Sequence, residues 1–589
     1  MRHSKTLFLF SFLSVLTFLV VAAVPAIAQL PSTVEGLGVV PHYVPPTREG
    51  ELPAIEVPSA RTTVPPGADE LVFVSTSINV TGATALSDRE ISALTSEYMG
   101  REVSLSEMYG LATEIQIAYR EQGYLLTRAL VPAQRIEGGV FRIEVIEGFI
   151  EDVFVVGDIG PAKQQVQGYV DRLLRLTPVR TQDIERYLLL SNDLPGIQAV
   201  AVIRPGTSGP GAAQLVVEVT RDPFDGYISV NNRGSPYAGP WSGAMSLGAN
   251  GFAPYGDRTE LIYYRALDVR EAVYEGGVQS VGEIPMEQWY GQISYQGSIL
   301  DEGLRLLMSA TQTLSHPGNK LAILDMKTRT DRYLADLSFP FVRTRARSLY
   351  GNLSLSHSMT RSSARGEIIG RDRLTVIEAG VDVDFRDVVS TWLLPFDFIG
   401  ASDSRVQFSV RQGVPWFGAS SDNQSLRSRI DGTSQFTTVQ GRVSRTQRVF
   451  NRFDFHLAAN GQYAFDTLLS SEEYRIGGDE FGRGYDPSEI SGEHGYGFTA
   501  EVRFQDRPEW FGLSAYEAYT FFDYGAAYNE DQGFKHHQDL ASAGIGARTE
   551  IGEDAYFDLE VARTLTRQRA SSVGNDDDWR LLMRATMQF

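Results

Sequence analysis

Two short segments hold residue types that could form a charged contact of defined geometry. Phe481-Gly482-Arg483-Gly484-Tyr485 sets one arginine between two glycines, so the backbone can turn tightly on both sides and present a guanidinium at a sharp tip. Phe521-Phe522-Asp523-Tyr524-Gly525 reads as part of a strand. There Glu517, Tyr519, Phe521, Asp523 and Gly525 share one face, and Tyr516, Ala518, Phe522, Tyr524 and Ala526 share the other. A guanidinium can hold a carboxylate by two parallel hydrogen bonds, and such a pair would fix a loop against a wall. Spacing alone leaves two plainer alternatives open, an exposed loop and a hydrated carboxylate.

Signatures of catalysis are missing. No lysine follows a glycine, so a phosphate-binding Gly-Lys-Ser/Thr loop is absent, and no histidine precedes a glutamate as in helical zinc proteases. There is no Gly-x-Ser-x-Gly elbow. His536-His537 could hold a metal but reads better as part of a solvated loop. Asp576-Asp577-Asp578 lacks the glycine and spaced ligands of a calcium loop and reads as a charged hairpin. The expectation is a protein that is not an enzyme, with no cofactor and no metal.

The elements that must position Arg483 and Asp523 are strands. In the last one Trp579, Leu581, Met583, Ala585, Met587 and Phe589 alternate with Asp578, Arg580, Leu582, Arg584, Thr586 and Gln588. Phe453, Phe455, Leu457, Ala459, Tyr463 and Phe465 oppose Asp454, His456, Asn460 and Gln462 in the same way. Tyr496, Phe498, Ala500, Val502 and Phe504 oppose Thr499, Glu501, Arg503 and Gln505. From Gly226 onward there are about sixteen such candidates, an even number as in bacterial single-chain barrels, with strands of roughly ten residues. Hydrocarbon satisfies no open sheet edge, so the pattern predicts a closed transmembrane barrel with Asp523 facing its lumen.

Other parts of the chain agree. An apolar run, Leu7 to Val24, follows Arg2 and Lys5 and ends at Ala26-Ile27-Ala28, which reads as a signal peptide over 1–28 rather than an anchor helix. Residues 29–69 carry Pro31, Pro41, Pro45, Pro46, Pro53, Pro58, Pro65 and Pro66 and read as an extended linker. Two strand-helix-helix-strand-strand units of about 75 residues follow, an internal repeat over 70–148 and 149–221. In the first, Leu71–Val80 is expected as a strand and Asp88–Tyr98 as a helix capped by Ser87. In the second, Ala162–Leu174 is expected as one helix. The barrel takes 222–589. Zero cysteines exclude disulfides, and a net charge of −20 argues against a nucleic-acid partner.

These residues resemble the outer-membrane transporters of two-partner secretion, the TpsB family of hemolysin secretion/activation type, within the superfamily that includes the barrel-assembly protein BamA. Gly123-Tyr124, Pro132-Ala133-Gln134, Glu137-Gly138-Gly139 and Glu147-Gly148 resemble the family's first POTRA domain. Leu194-Pro195-Gly196 and Arg204-Pro205-Gly206 resemble its second, and Asn231-Asn232-Arg233-Gly234 the opening of its barrel. Its loop motif, Val-Arg-Gly-Tyr, is matched by Gly482, Arg483, Gly484 and Tyr485, with glycine in place of valine. Its strand motif is matched by Phe521, Asp523 and Gly525. The resemblance implies that the loop folds into the lumen and that Arg483 and Asp523 form a conformational latch there. It also implies a secreted partner of TpsA-like adhesin or cytolysin type, outer-membrane lipid around the barrel, and barrel-assembly machinery that reads the terminal Phe589 during biogenesis. The family often carries an amino-terminal plug helix, for which the Pro-rich stretch shows no pattern. The function implied is secretion of an exoprotein captured unfolded in the periplasm, without nucleotide hydrolysis. The alternatives are a BamA-type assembly factor and a passive porin or adhesin.

Overall fold

The computed structural model describes residues 64–267, 286–318, 324–388, 399–450, 452–508, 512–531, 534–572 and 578–589. The signal peptide, the linker up to residue 63, any plug segment, and Asp576 and Asp577 lie outside the described residues.

Both amino-terminal units follow one plan. In the first, Ser77–Thr81 runs parallel to Val140–Ile146, and Arg128–Leu130 lies antiparallel on the other side. Two helices make the crossover, Asp88–Thr95 and Leu105–Glu121. Each begins with a capping box, Ser87 with Glu90 and Ser104 with Glu107, which satisfies backbone N–H groups that the first turn leaves unpaired. Met108, Leu111, Ala112, Ile115 and Tyr119 form one buried stripe of the second helix, against Phe141, Ile143 and Val145 on alternate positions of the central strand. In the second unit Phe149–Val156 is parallel, and Ile197–Pro205 antiparallel, to a central Ala212–Arg221.

Three boundaries differ from expectation. Leu71–Val80 divides into Val72–Val74 and Ser77–Thr81, which join different sheets because the backbone between them is taken up by Arg101 and Gly139. The first helix ends at Thr95 and continues as a tighter turn over Ser96–Tyr98. The span expected as one helix, Ala162–Leu174, is an α-helix over Lys163–Val170 flanked by 3₁₀ turns, Gly160–Ala162 around Pro161 and Asp171–Arg175.

The second unit docks on the barrel through its helical side. Asp193, just past the helix Thr181–Asn192, accepts two hydrogen bonds from the Arg343 guanidinium at 2.6 and 2.8 Å. Glu185 pairs with Arg345 at 3.3 Å, and the Tyr169 hydroxyl meets Ser298 at 2.5 Å. Arg172 reaches Glu302 at 3.3 Å. All these barrel residues belong to turns, or strand ends beside turns, at one mouth, here called the near mouth.

The barrel has sixteen antiparallel strands, each paired with the next, and the last, Trp579–Gln588, closes on the first, Phe224–Asn231. Between them the strands relevant below are the eleventh to fifteenth: Phe453–Ala464, His494–Asp506, Leu513–Asp531, Phe534–Ile551 and Ala555–Thr564. Parity follows the sequence. Trp579, Leu581 and Met587 are 55%, 55% and 60% exposed, whereas Arg580 and Thr586 are buried. The exposed face is apolar and the buried face polar, the inverse of a water-soluble protein and the arrangement lipid demands. Some strands outrun the ten residues expected, up to the 22 of Glu367–Val388. Neighbouring strands keep pairing beyond the length a bilayer requires. His536-His537 likewise sits in the fourteenth strand, paired with Asn529 and Tyr528, and not in a loop.

The Asp193–Arg343 pair predicts how the amino-terminal units are held. Asp193→Asn should leave the unit folded but broaden its orientation relative to the barrel. Spin labels on introduced cysteines at Gln198 and Asp554 would show a wider distance distribution. An unchanged distribution would mean that this pair does not hold the joint.

A loop anchored in the barrel lumen

The segment between the eleventh and twelfth strands returns into the lumen as a short hairpin, Tyr474–Ile476 paired with Ile490–Gly492. Its tip carries the glycine-flanked arginine. Gly482 has φ +90°, and a Cβ there would come within 2.6 Å of Leu540, so a valine at this position would be strained as well as crowded. The apolar anchor comes from the preceding residue instead. Phe481 is buried among Ile476, Tyr485, Ile490, Ala527 and Leu540.

Arg483 is 3% exposed and meets three strands. Its Nε donates to Asp523 Oδ2 at 3.0 Å and its Nη2 to Asp523 Oδ1 at 2.7 Å, the two-point grip of a planar fork. Nη2 also donates to Thr499 Oγ1 at 2.9 Å, and Nη1 donates to Glu501 Oε1 at 2.5 Å with Glu560 at 3.6 Å. The guanidinium carbon lies 3.6 Å from the centre of the Phe521 ring, close enough for cation–π attraction. Arg483 and Asp523, expected as partners, are therefore in contact.

Asp523 has no solvent exposure and is fully occupied. Besides the guanidinium it accepts the backbone N–H of Gly482 at 3.2 Å and of Arg483 at 3.0 Å. The hydroxyls of Thr499 and Ser542 donate to it at 2.7 and 3.2 Å. Strand register supplies those hydroxyls, because Thr499, Asp523 and Ser542 form one row across three strands. Glu501 and Phe521 form the next row.

Gly484 brings the loop against the wall. A Cβ there would meet Ser542 at 2.9 Å and the Arg563 backbone at 3.0 Å. Tyr485 is buried, donates to the Ala541 carbonyl at 3.1 Å and accepts from the Arg567 N–H at 3.3 Å. Gly525 lies under Ile476 of the hairpin, and Phe589 exchanges backbone hydrogen bonds with Gly226 where the barrel closes.

Sequence spacing did not single out Glu501, Thr499 or Glu560 as partners of Arg483. Glu501 and Thr499 lie on the lumen parity read for their strand, which narrows the choice without naming them. A second charged layer continues outward from this centre. Arg503 and Arg548 reach Glu501 at 2.6 and 3.5 Å, and Arg548 reaches Glu517 at 2.5 Å. Beside the loop the lumen keeps a cavity of about 730 Å³ bounded by charges of both signs, among them Arg305, Arg332, Arg442, Asp336, Glu378 and Asp382. Among the described residues no group of three His, Asp or Glu side chains is placed to hold a metal. Chemically the site is a saturated ion-pair anchor, with every strong acceptor of Asp523 already engaged.

Comparison with known proteins agrees with this architecture. Residues 211–549 match the family described as haemolysin secretion/activation protein ShlB/FhaC/HecB, and residues 73–148 match the ShlB-type POTRA domain. The heme/hemopexin transporter protein HuxB of Haemophilus influenzae is 24% identical over 494 residues, 81% of this chain and 80% of that protein. The solved structure of CdiB from Escherichia coli has the same fold, with a TM-score of 0.71 at 19% identity over 92% of this chain and 94% of that one. CdiB from Acinetobacter baumannii gives 0.63 at 16% identity, over 88% and 90%. With its sixteen-stranded barrel, its amino-terminal POTRA fold and a match over more than half its length, the chain belongs to the ShlB/FhaC/HecB family of outer-membrane transporters.

Proposed function

We propose that this protein carries a partner exoprotein from the periplasm to the cell surface, and that Arg483 and Asp523 form the latch that holds its lumen loop in the resting state. The observation that carries this reading is the seat of Arg483: a buried, fork-shaped contact that joins a loop to the wall of the pore it fills. A loop needed only as a surface turn would have no use for a buried cation. A passive pore would gain nothing from a residue-specific plug.

The amino-terminal units provide the receiving side. Each central strand is flanked by two edge strands with one free side among the described residues: Ser77–Thr81 and Arg128–Leu130 in the first unit, Phe149–Val156 and Ile197–Pro205 in the second. An extended segment of an unfolded exoprotein can add to such an edge by main-chain hydrogen bonds. The second unit has the strand order of the first and is read as a second POTRA domain. It is bound to the near mouth, so a captured segment is delivered where the lumen begins. The chain has no nucleotide-binding loop, so folding of the exoprotein outside the cell supplies direction by preventing return. Among the relatives, the Haemophilus influenzae protein is named a heme/hemopexin transporter and a Proteus mirabilis protein a hemolysin transporter. An adhesin or cytolysin is the class proposed here.

The latch has a measurable signature. Arg483→Ala leaves Asp523 and Glu501 buried without their cation, a loss on the order of 3–5 kcal/mol at the seat. The barrel itself, held by its ladders, should still assemble. Secretion should fall sharply while heat-modifiable barrel remains in the outer membrane. Arg483→Lys keeps the charge but cannot grip both carboxylate oxygens in one plane, so it should fall between. Normal secretion by a correctly expressed Arg483→Ala protein would end the latch reading.

Transport itself is tested in cells lacking the gene. Surface display of one exoprotein, encoded nearby, should disappear while other outer-membrane barrels keep their levels. A broad loss of barrels would instead favour an assembly factor.

A further inference from the structure

Among the described residues the barrel's shortest ladder is the one that closes it. The first and last strands share five residue pairs, from Tyr227↔Gln588 to Asn231↔Arg584, whereas the ladders on either side have eight and nine. Beyond Asn231 one backbone hydrogen bond continues, from the Asn232 N–H to the Met583 carbonyl at 3.2 Å, and side chains add to it. Asn232 donates to the Leu581 carbonyl at 2.8 Å and accepts the Met583 N–H at 2.6 Å, and Arg580 donates to the Gly234 carbonyl at 3.1 Å.

The lumen loop sits against this seam. Asp479, four residues before Arg483, bonds Arg233 through Oδ1 at 3.0 Å and Arg584 through Oδ2. Arg233 lies just past the first strand, and Arg584 lies in the last, so a single loop carboxylate spans the two elements between which the barrel closes. The same loop touches the last strand again, where Arg580 donates to the Tyr485 carbonyl and approaches Asp486 at 3.7 Å. Two carboxylates of the wall lie near the same arginines, Glu560 at 3.6 Å from Arg233 and Asp558 at 3.9 Å from Arg584. When the loop leaves, the carboxylate shared by these two guanidinium groups leaves with it, and their mutual repulsion across the short ladder is offset less.

We propose that Asp479 makes the lumen loop a clasp across the closing seam, so that the strength of the barrel wall depends on whether the loop is seated. Loss of the Asp479 contact then loosens the wall, giving a translocating chain a wider path as the loop leaves the lumen. This inference rests on the reading of the loop as a latch, but its test does not pass through secretion.

The chain has no cysteine, so introduced pairs are unambiguous. Ser229 and Thr586 are directly opposed across the seam. Because Gly226 and Phe589 exchange both backbone hydrogen bonds, Ser229 and Thr586 fall in a non-hydrogen-bonded position. There the Cα atoms come within about 4.5 Å, inside the range a disulfide spans. The experiment is amide hydrogen exchange of the full chain in lipid, read on peptides covering 224–232 and 579–589. A peptide from the ladder between Met326–Arg343 and Arg347–Ala364 serves as the reference.

Asp479→Asn, which is isosteric, should speed exchange severalfold in both seam peptides and leave the reference unchanged. Oxidised Ser229→Cys/Thr586→Cys in the Asp479→Asn background should restore slow exchange. Unchanged seam exchange, or acceleration shared with the reference ladder, would overturn the clasp. So would failure of the disulfide to restore protection. Faster seam exchange upholds the clasp whatever the level of secretion, which Arg483→Ala tests separately.

Discussion

A carboxylate stripped of all water must find its solvation in the protein, and Asp523 finds most of it in one loop. Two backbone N–H groups and two guanidinium nitrogens from the loop reach it, with two hydroxyls from the wall. Isolated, a buried charge costs several kcal/mol, and breaking such a pair exposes that cost on both partners. The contact is strong because each partner is intolerable alone. That property suits a latch: the two seated groups resist small disturbances, and once separated each must be rehydrated, so the unlatched state is distinct rather than a gradual loosening.

The surroundings follow from that requirement. The guanidinium needs a polar wall that presents acceptors in fixed positions, and a barrel supplies one because its register is locked by closure and by the lipid-facing parity of every strand. Thr499, Asp523 and Ser542 make one lumen row, and Glu501 and Phe521 the next, so the arginine reads two rows of wall at once. The loop must also come close without pushing on the wall. Gly482 and Gly484 allow this, one through its backbone conformation and the other through the space it does not fill. Phe481 and Tyr485, on either side, bury apolar surface that holds the tip when the ion pair alone would not orient it.

The alternating pattern made the strands, their faces and the inward direction of Asp523 legible, because lipid forbids polar groups on one parity. Ser87 likewise marked the start of the first helix in the first unit. What stayed hidden depends on stagger between strands distant in sequence. Glu501 shares its parity with many polar lumen residues, and only the pairing Glu501↔Phe521 places it beside Arg483. Asp479 had no local signal, since its partner Arg233 lies 246 residues away. The division of Leu71–Val80 between two sheets was hidden for a related reason. Both halves carry strand-forming residues, and only the groups that compete for the backbone between them, on Arg101 and Gly139, decide the break.

The two loop anchors sit on different parts of the wall, and this separation has a mechanical consequence. Arg483 is held by the twelfth and thirteenth strands, deep in continuous ladder, whereas Asp479 bridges the first and last, where the ladder is shortest. A force that pulls the loop along the pore axis therefore meets a stiff attachment and a compliant one, four residues apart. The compliant side yields first if the wall parts, and the stiff side yields only when the fork on Asp523 breaks. A chain entering from the docked amino-terminal end would press on both, so the order in which they fail is set by the wall and not by the loop. The loop can thus remain bound by Arg483 while the seam has already loosened, an intermediate in which the pore is widened but not yet empty.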